Sequence, residues 1–168
     1  DRTVSRGLGD VYKRQLSVLT FLSSLGWASE LEKDELNEVV AFAKTLGVYD
    51  CYDFEDAYRH PEMNQVYTVG EHSIYHINCF LAAYNFGTVW FQRSDQGPLK
   101  PIYFAKPTVS SSPVVGLETV NTLVNASFDP ETGEISNHEK WVGHGDQSEG
   151  GTWTVSYTHL TLPTRSYV

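Results

Sequence analysis

Three carboxylates toward the end of the chain, Asp129, Asp146 and Glu149, could serve acid–base chemistry, with Glu131 as an alternative to Asp129. A glycosidase needs two such groups, one to protonate the leaving oxygen and one to act as nucleophile or base. All three lie in stretches whose composition is typical of turns and polar loops, where acids commonly serve turn geometry and solubility. This acidic site therefore supports a second-ranked hypothesis, a periplasmic hydrolase that acts on glycan or peptide.

Histidine and serine residues are weaker candidates for chemistry. His72 and His76 are four residues apart in a predicted strand, but no glutamate follows at the spacing of a zinc-binding motif. The run Ser110–Ser112 lacks the glycine pattern of a nucleophile elbow, and a cysteine in mid-strand, Cys79, is poorly placed to attack a substrate. We therefore predict no catalytic residue, no metal site and no cofactor.

Two aromatic residues and an amide are candidates for a ligand groove. Tyr84 and Asn85 follow a predicted strand, and Trp90 lies shortly after them. Aromatic faces beside an amide suit a polar ligand such as a glycan or a peptide. The alternative is that Tyr84 and Trp90 belong to the core and Asn85 to a turn, and the sequence leaves both interpretations open.

The elements that would position these residues centre on the most apolar and aromatic run away from the termini. Its alternation predicts one strand over Ser73–Leu81 and a second over Thr88–Arg93. Strict alternation places Cys79 and Leu81 on one face of the first strand and Phe80 on the other. We expect every other informative segment to lead into this pair of strands or to pair with it.

The clearest helix signal covers Ser29–Leu46. Ser29 and Glu32 have the spacing of a capping box, and Gly47 suits the position just past the helix end. The apolar face of this helix consists of Leu36, Val39, Val40, Ala43 and Leu46.

The best hairpin signal pairs Asn125–Asp129 with Glu134–Trp141 around a Pro-x-x-Gly turn. The acid-rich segment Val48–Met63 is predicted to be a solvated loop, and Gly143–Gly151 a flexible polar loop. Together these elements predict an α+β fold, in which one N-terminal helix packs on a mainly antiparallel β-sheet or sandwich of about six to eight strands.

Composition limits the classes of partner. The 168 residues suit a single domain with a proper core, and the abundant Tyr, Phe and Trp favour a β-rich one. The formal net charge is −9, which argues against nucleic acid and against an anionic membrane surface, because both require a basic surface.

Both ends of the chain look foreign to the domain. Residues 1–15 and 155–168 resemble translated sequencing-adapter sequence, typical of proteins predicted from metagenomic reads, and we exclude them from fold reasoning. Residues 16–28 resemble the apolar part of a signal peptide, with a small-x-small cleavage pattern, and are too short for an integral membrane span. The alternative is an amphipathic core helix. Residues 29–154 then form the single β-rich domain.

Three segments together resemble a bacterial family of envelope proteins, domain of unknown function 1176 (DUF1176). They are Cys79-x-x-x-Ala83-Tyr84-Asn85, the run Leu123–Asp129 followed by Gly133–Ser136, and the run Lys140–Asp146. The chain departs from the family's pattern at Gln147, where the family usually has cysteine, and at Trp141-Val142, which replaces Gly-Arg. The family's pattern continues beyond Trp153 with another strand and a cysteine, which indicates that the domain is truncated at its C-terminal end.

The resemblance implies export, to the periplasm or outside the cell, and it supplies no catalytic residue because the family has no known reaction. In an oxidising compartment Cys51 and Cys79 would pair as a disulfide. In a reducing compartment both would instead be small buried apolar residues. Our main hypothesis is an exported envelope protein that binds or supports an unknown envelope component or a small polar ligand without catalysis.

Overall fold

The fold is built from three antiparallel sheets and two helices. A computed structural model of the chain describes residues 28–48, 51, 54–95, 97–108, 116–140, 148–155 and 164–166. The helices are α1 (Lys33–Thr45) and α2 (Glu55–Arg59). The strands are β1 (Ala28–Glu30), β2 (Gln65–Val69), β3 (His72–Leu81), β4 (Phe86–Ser94), β5 (Lys100–Pro101), β6 (Phe104–Thr108), β7 (Gly116–Val120), β8 (Thr122–Val124), β9 (Ser127–Asp129), β10 (Glu134–Lys140), β11 (Ser148–Thr154) and β12 (Thr164–Ser166).

The strands form sheets of six, four and two strands. The largest has the order β1-β2-β3-β4-β5, and β8 pairs with β4 beside β5. The second has the order β12-β11-β10-β9, and β6 pairs with β7 alone. This is the predicted α+β fold, with one main helix near the start of the described chain. No helix of the described residues is long and apolar enough to cross a membrane.

Helix α1 covers one face of the largest sheet with the predicted apolar positions. Leu36, Val39, Val40 and Ala43 are buried, and Gly47 just past the helix end has a φ of 61°, as a glycine there allows. The predicted capping box is wrong. Ser29 lies in β1 opposite Val66 of β2, so its backbone is part of the sheet and not of a helix cap. The helix begins only at Lys33.

The acid-rich segment after α1 is not a simple loop. It contains α2 and a 3-10 turn over Pro61–Met63. The fully buried Asn64 explains the docking of this segment: its Nδ2 donates to the carbonyl of Ala57 at 2.7 Å, and its Oδ1 accepts from the backbone N–H of Asn78 at 2.9 Å. Asp56 adds a second link, since its Oδ2 accepts from the backbone N–H of Leu81 at 2.9 Å.

Strands β3 and β4 form the centre of the molecule, and both of their faces are buried. One face packs with α1 in a first core that contains Tyr75, Ile77, Val89 and Phe91. The other face packs in a second core with side chains of β6, β9, β10 and β11. The predicted alternation fails at one point: the register shifts between Asn78 and Phe80. Because of this bulge, Phe80 packs against the first core while Leu81 is exposed.

The second sheet contains the predicted hairpin and one strand that was predicted to be loop. β9 and β10 pair around the turn, and Gly133 has the expected positive φ of 70°. The expectation of a flexible loop over Gly143–Gly151 is wrong where β11 runs. A Cβ on Gly151 would lie 2.8 Å from the Trp153 ring, and one on Gly150 would lie 2.9 Å from the Asn137 carbonyl. These glycines therefore serve close packing within a strand.

Several sequence predictions lie wholly or partly outside the described residues. They concern residues 1–15, residues 16–28 apart from Ala28, and Asp146 with the rest of the connection between β10 and β11. Of the adapter-like tail, only Val155 and β12 are described, and β12 pairs with β11.

A disulfide joins Cys51 to Cys79 within the first core. The two Cα atoms are 5.2 Å apart, and both residues are buried. The bond fixes the segment that precedes α2 to the strand at its bulge. It closes a loop between residues that are 28 positions apart.

His76 is the polar side chain in the second core that has no hydrogen-bond partner. Its ring stacks on Trp90 with 4.4 Å between centroids, and neither ring nitrogen has a partner among the described groups. The residue is 6% exposed, and this burial lowers the pKa of His76 to about 4. The imidazole is therefore neutral in the folded protein at any pH well above that value.

We predict that His76 makes folding sensitive to mild acid. Below pH ~6.5 the unfolded chain binds a proton that the folded imidazole refuses, so stability falls with pH until the folded pKa of about 4 is reached. The loss should be about 2 kcal/mol at pH 5 and roughly 3 kcal/mol in total. Urea unfolding of the natural protein and of His76→Phe at pH 7.5 and pH 5 measures it. If both proteins lose the same stability between these two pH values, the prediction is wrong.

We also predict that reduction of the Cys51–Cys79 bond destabilises the protein by about 3–4 kcal/mol, because the bond restricts the unfolded chain. Urea unfolding with and without dithiothreitol measures the effect. A Cys51→Ala/Cys79→Ala variant is the matched control and should not respond to dithiothreitol. An equal response in the two proteins would show that the reductant acts elsewhere.

Candidate functional site

Two asparagine side chains, Asn85 and Asn125, bind each other and hold together three parts of the chain. We call this pair the asparagine clasp. Asn125 follows β8 and has a φ of 47°, a left-handed conformation that asparagine tolerates better than most residues. Its Oδ1 accepts from the Phe86 N–H at 2.8 Å, and its Nδ2 donates to Asn85 Oδ1 at 2.9 Å and to the His138 carbonyl at 2.8 Å. The clasp thus joins β4, β8 and β10.

Asn85 completes the clasp at the end of β10. Its Nδ2 donates to the Lys140 carbonyl at 2.9 Å, and its Oδ1 accepts from the Lys140 N–H at 3.2 Å. Asn85, Asn125 and Lys140 come from the three segments that carry the family resemblance, so the fold brings all three into contact. Nearly every partner is a backbone group, and the clasp therefore positions strands.

Tyr84 is presented next to the clasp. The connection from β3 to β4 is closed by a bond from the Ala82 N–H to the Asn85 carbonyl at 2.7 Å, and Asn125 Nδ2 lies 3.3 Å from the Tyr84 carbonyl. The backbone of Tyr84 is therefore fixed while its side chain is 77% exposed. An exposed aromatic ring on a fixed backbone is well suited to bind a partner.

Trp90, the third residue of the predicted groove, lies elsewhere. It is 1% exposed, stacks on His76, and its Nε1 donates to Thr88 Oγ1 at 3.0 Å. The structure brings Tyr84 and Asn85 together at one surface but leaves Trp90 in the second core. An inward position on a strand buried on both faces is the physical reason.

The two described residues of the predicted acidic site, Asp129 and Glu149, do not form a carboxylate pair. Asp129 faces Glu134 at one end of β10, and Glu149 faces Glu139 near the other. Glu134 and Glu139 are five positions apart along β10, so the two ends are separated by roughly 17 Å. Glycosidases place their two carboxyl groups only about 5–9.5 Å apart. Asp146, the remaining candidate, is outside the described residues.

Asp129 instead organises its turn. Its Oδ1 accepts from the backbone N–H of Glu131 at 2.8 Å and from that of Thr132 at 3.4 Å. The hydrogen bond from Glu131, the largest effect, lowers the pKa of Asp129 below its usual value. This is the local turn role that acids commonly have after a strand.

A polar cleft, which sequence reasoning missed, lies between β6, β7, β8 and β10. Its volume is about 320 Å³, and Lys106, Glu118, Thr122, Asn137 and Glu139 are among its lining residues. Lys106 Nζ lies 2.8 Å from Glu139 Oε2. The alternation of β10 offered a faint signal, since Ile135, Asn137 and Glu139 share its inward face, but only the packing of β6 against β10 makes a cleft there. Among the described residues, no three His, Cys, Asp or Glu side chains are placed to hold a metal ion.

We predict that the clasp stabilises the fold substantially. Asn125→Gly keeps the left-handed backbone and removes four hydrogen bonds of the side chain, which should cost about 2–4 kcal/mol of unfolding free energy. Chemical denaturation measures the loss. Asn121→Gly is the control. Asn121 lies between β7 and β8, and its half-buried amide makes no hydrogen bond to a described residue, so this change should cost about 1 kcal/mol or less. Equal losses in the two variants would contradict the role of the clasp.

The comparisons with known proteins bear on the family. A family model described as protein of unknown function (DUF1176) matches residues 26–159, which include both residues of the clasp and the cleft. No curated protein and no solved structure matches the chain significantly. Since the family model covers most of the chain, the protein belongs to the DUF1176 family.

Proposed function

We propose that this protein is a non-catalytic binding module of the bacterial envelope, periplasmic or secreted, that holds a polar envelope component such as a glycan or a peptide against Tyr84. The proposal has three parts, which are the compartment, the binding surface and the lack of catalysis. Each part depends on a different observation.

The disulfide supports the compartment. Disulfides persist in oxidising compartments and are rare in the reducing cytosol. The Cys51–Cys79 bond joins two buried residues and closes a long loop, as structural disulfides commonly do. The signal-like segment over residues 16–28 supports export in the same direction.

The exposed ring of Tyr84 is the single observation that carries the binding function. Burial of an aromatic side chain is favourable in free energy, and Tyr84 is left 77% exposed to water. The clasp has already fixed its backbone, so binding a partner costs little further conformational entropy. Tyrosine combines an apolar ring face with a hydroxyl group, which suits a sugar ring or a peptide equally.

The use of the signature side chains supports the absence of catalysis. Asn85 and Asn125 form hydrogen bonds with backbone groups and with each other, which is a structural role that maintains the surface. The two described acids of the hydrolase hypothesis, Asp129 and Glu149, are too far apart to act on one glycosidic bond.

We predict that Tyr84→Ala abolishes binding without unfolding the protein. Co-sedimentation of the purified protein with isolated envelope, separated into peptidoglycan sacculi and membrane fractions, measures binding. We expect the affinity of Tyr84→Ala for one of these fractions to fall tenfold or more, because buried aromatic anchors dominate interface energies. Tyr103→Ala is the matched control, since Tyr103 is also an exposed strand-flanking tyrosine, at 41%.

Three outcomes would count against the proposal. Equal binding by Tyr84→Ala and the natural protein would remove the surface from the function. An equal loss in Tyr103→Ala would show that any exposed tyrosine matters. Release of soluble fragments from the envelope during the incubation would revive the hydrolase hypothesis, and the fragments would identify the bond that is cleaved.

A further inference from the structure

We propose that the polar cleft is a second binding site, distinct from the Tyr84 surface, and that it takes a small ligand carrying a protonated amine beside a hydroxyl or carbonyl oxygen. Strand register turns charged side chains inward, carboxylates outnumber ammonium groups among them, and one amide donor, that of Asn137, has no partner among the described groups. This second site does not depend on the function proposed for Tyr84.

Strand register places three charged side chains around the cleft and a fourth, Glu149, at a small recess next to it. Lys106 of β6 lies directly opposite Glu118 of β7, so the two share one face of that pair of strands. Glu139 of β10 lies directly opposite Glu149 of β11 on the inward face of the second sheet. Lys106 and Glu139 meet at 2.8 Å and bring the two faces together.

The cleft has more negative than positive charge. One ammonium group, that of Lys106, faces three carboxylates, and the pair of Glu139 and Glu149 is a like-charge pair directly across two strands, which is unfavourable. Among the described residues, neither Glu118 nor Glu149 has an ion-pair partner. A second cation in the cleft would relieve this repulsion.

Lys106 shows that the cleft accepts an ammonium group. Burial, the largest single effect, lowers the pKa of Lys106, but its hydrogen bond to Glu139 and the charges of Glu139, Glu149 and Glu118 together raise that pKa above its usual value. The local field is therefore strong enough to overcome desolvation of an amine. A ligand amine in the cleft meets the exposed carboxylate of Glu118, and one at the adjoining recess meets that of the half-buried Glu149.

Asn137 adds a hydrogen-bond donor, which would bind the hydroxyl or carbonyl oxygen of the ligand. The residue is 9% exposed and shares the inward face of β10 with Glu139. Its Oδ1 accepts from the Gly151 N–H at 2.7 Å, but its Nδ2 donates to no described group. This nitrogen is open to the cleft that Asn137 lines, and an oxygen acceptor of a ligand would pair with it.

The shape of the cleft favours a small organic ligand. Its volume of about 320 Å³ is at the lower end for ligand sites, and a recess of about 20 Å³ next to it is also lined by Lys106, Asn137 and Glu149. The threonines of β7 and β8 that line the cleft offer hydroxyl groups that can bind polar oxygens. Tight metal coordination requires converging ligands that the described residues do not provide here.

The experiment uses the full chain labelled with ¹⁵N and follows its amide spectrum by NMR. Three amines, glucosamine, ethanolamine and glycinamide, are titrated beside their uncharged counterparts glucose, ethylene glycol and acetamide. We expect the side-chain amide signals of Asn137, identified by their loss in Asn137→Asp, to shift saturably with at least one amine. Ligands of this size should have dissociation constants on the order of millimolar.

The variants place the binding in the cleft. Glu118→Gln/Glu149→Gln should weaken the affinity for the amine tenfold or more while the spectrum shows an intact fold. Glu131→Gln/Glu134→Gln removes the same charge from exposed positions around the hairpin turn and should bind as the natural protein does. Amine binding is followed at Asn137 and envelope binding is tested at Tyr84, so loss of amine binding and loss of envelope binding are separate results.

Any of three results would overturn the proposal. The first is the absence of a saturable shift at Asn137 with all three amines. The second is an equal response to the uncharged counterparts, which would show that charge plays no part. The third is equal weakening in both double variants, which would show that only the overall negative charge attracts the amines.

Discussion

The burial of β3 and β4 on both faces is the constraint on which the rest of the structure depends. A strand pair in the middle of two cores needs a partner layer on each side, and α1 supplies one while the strands β6, β9, β10 and β11 supply the other. A polar group that is buried between these layers without a hydrogen-bond partner lowers the stability of the fold. An amide and a hydroxyl group supply such partners. Asn64 hydrogen-bonds to the bulge of β3. Thr88 Oγ1 accepts from Trp90 Nε1 and donates to the Leu123 carbonyl.

The bulge in β3 links this constraint to the disulfide. At the bulge one residue has no opposite neighbour in β4, and the free Asn78 N–H is satisfied by Asn64 instead of by the ladder. The residue without an opposite neighbour is Cys79, which bonds to Cys51, and the irregularity turns Phe80 toward the first core. Segments that are distant in sequence therefore converge on the bulge, and the disulfide makes that convergence permanent in an oxidising environment.

The two candidate binding regions are consequences of how the second sheet is joined to the first. The asparagine clasp fixes the end of β10 to β4 and β8, which leaves Tyr84 outside at the hairpin connection and leaves the cleft open on the inner side. Trp153 fixes the other side of the cleft, because its Nε1 donates to the Ala105 carbonyl at 3.1 Å. Lys106 thus lies between two fixed walls, and the charges that surround it are set by strand register rather than by loop conformation.

His76 is an exception among the buried polar groups, because neither of its ring nitrogens has a hydrogen-bond partner among the described groups. The stacking on Trp90 and the surrounding apolar side chains keep its imidazole neutral. A phenylalanine would fill a similar space without this cost, so the histidine makes the core dependent on pH. That dependence is a property of the packing of three strands and is not visible in any local motif.

The sequence by itself determined the α+β class, the apolar face of α1, the pairing of β9 with β10 and the presence of the strands β3 and β4. These features depend on local periodicity and turn residues, which act over a few positions and can be read along the chain. It also determined which segments carry the family resemblance. Only the tertiary structure decided that Asn85, Asn125 and Lys140 meet, that Trp90 is core while Tyr84 is surface, and that Asp129 and Glu149 lie apart. Alternation says that a residue changes face at each step, but it does not say which face is covered, and a single bulge reverses the assignment after it. The cleft around Lys106 depends on four strands from all three sheets, and contacts of that sequence separation leave no pattern in the sequence of any one strand.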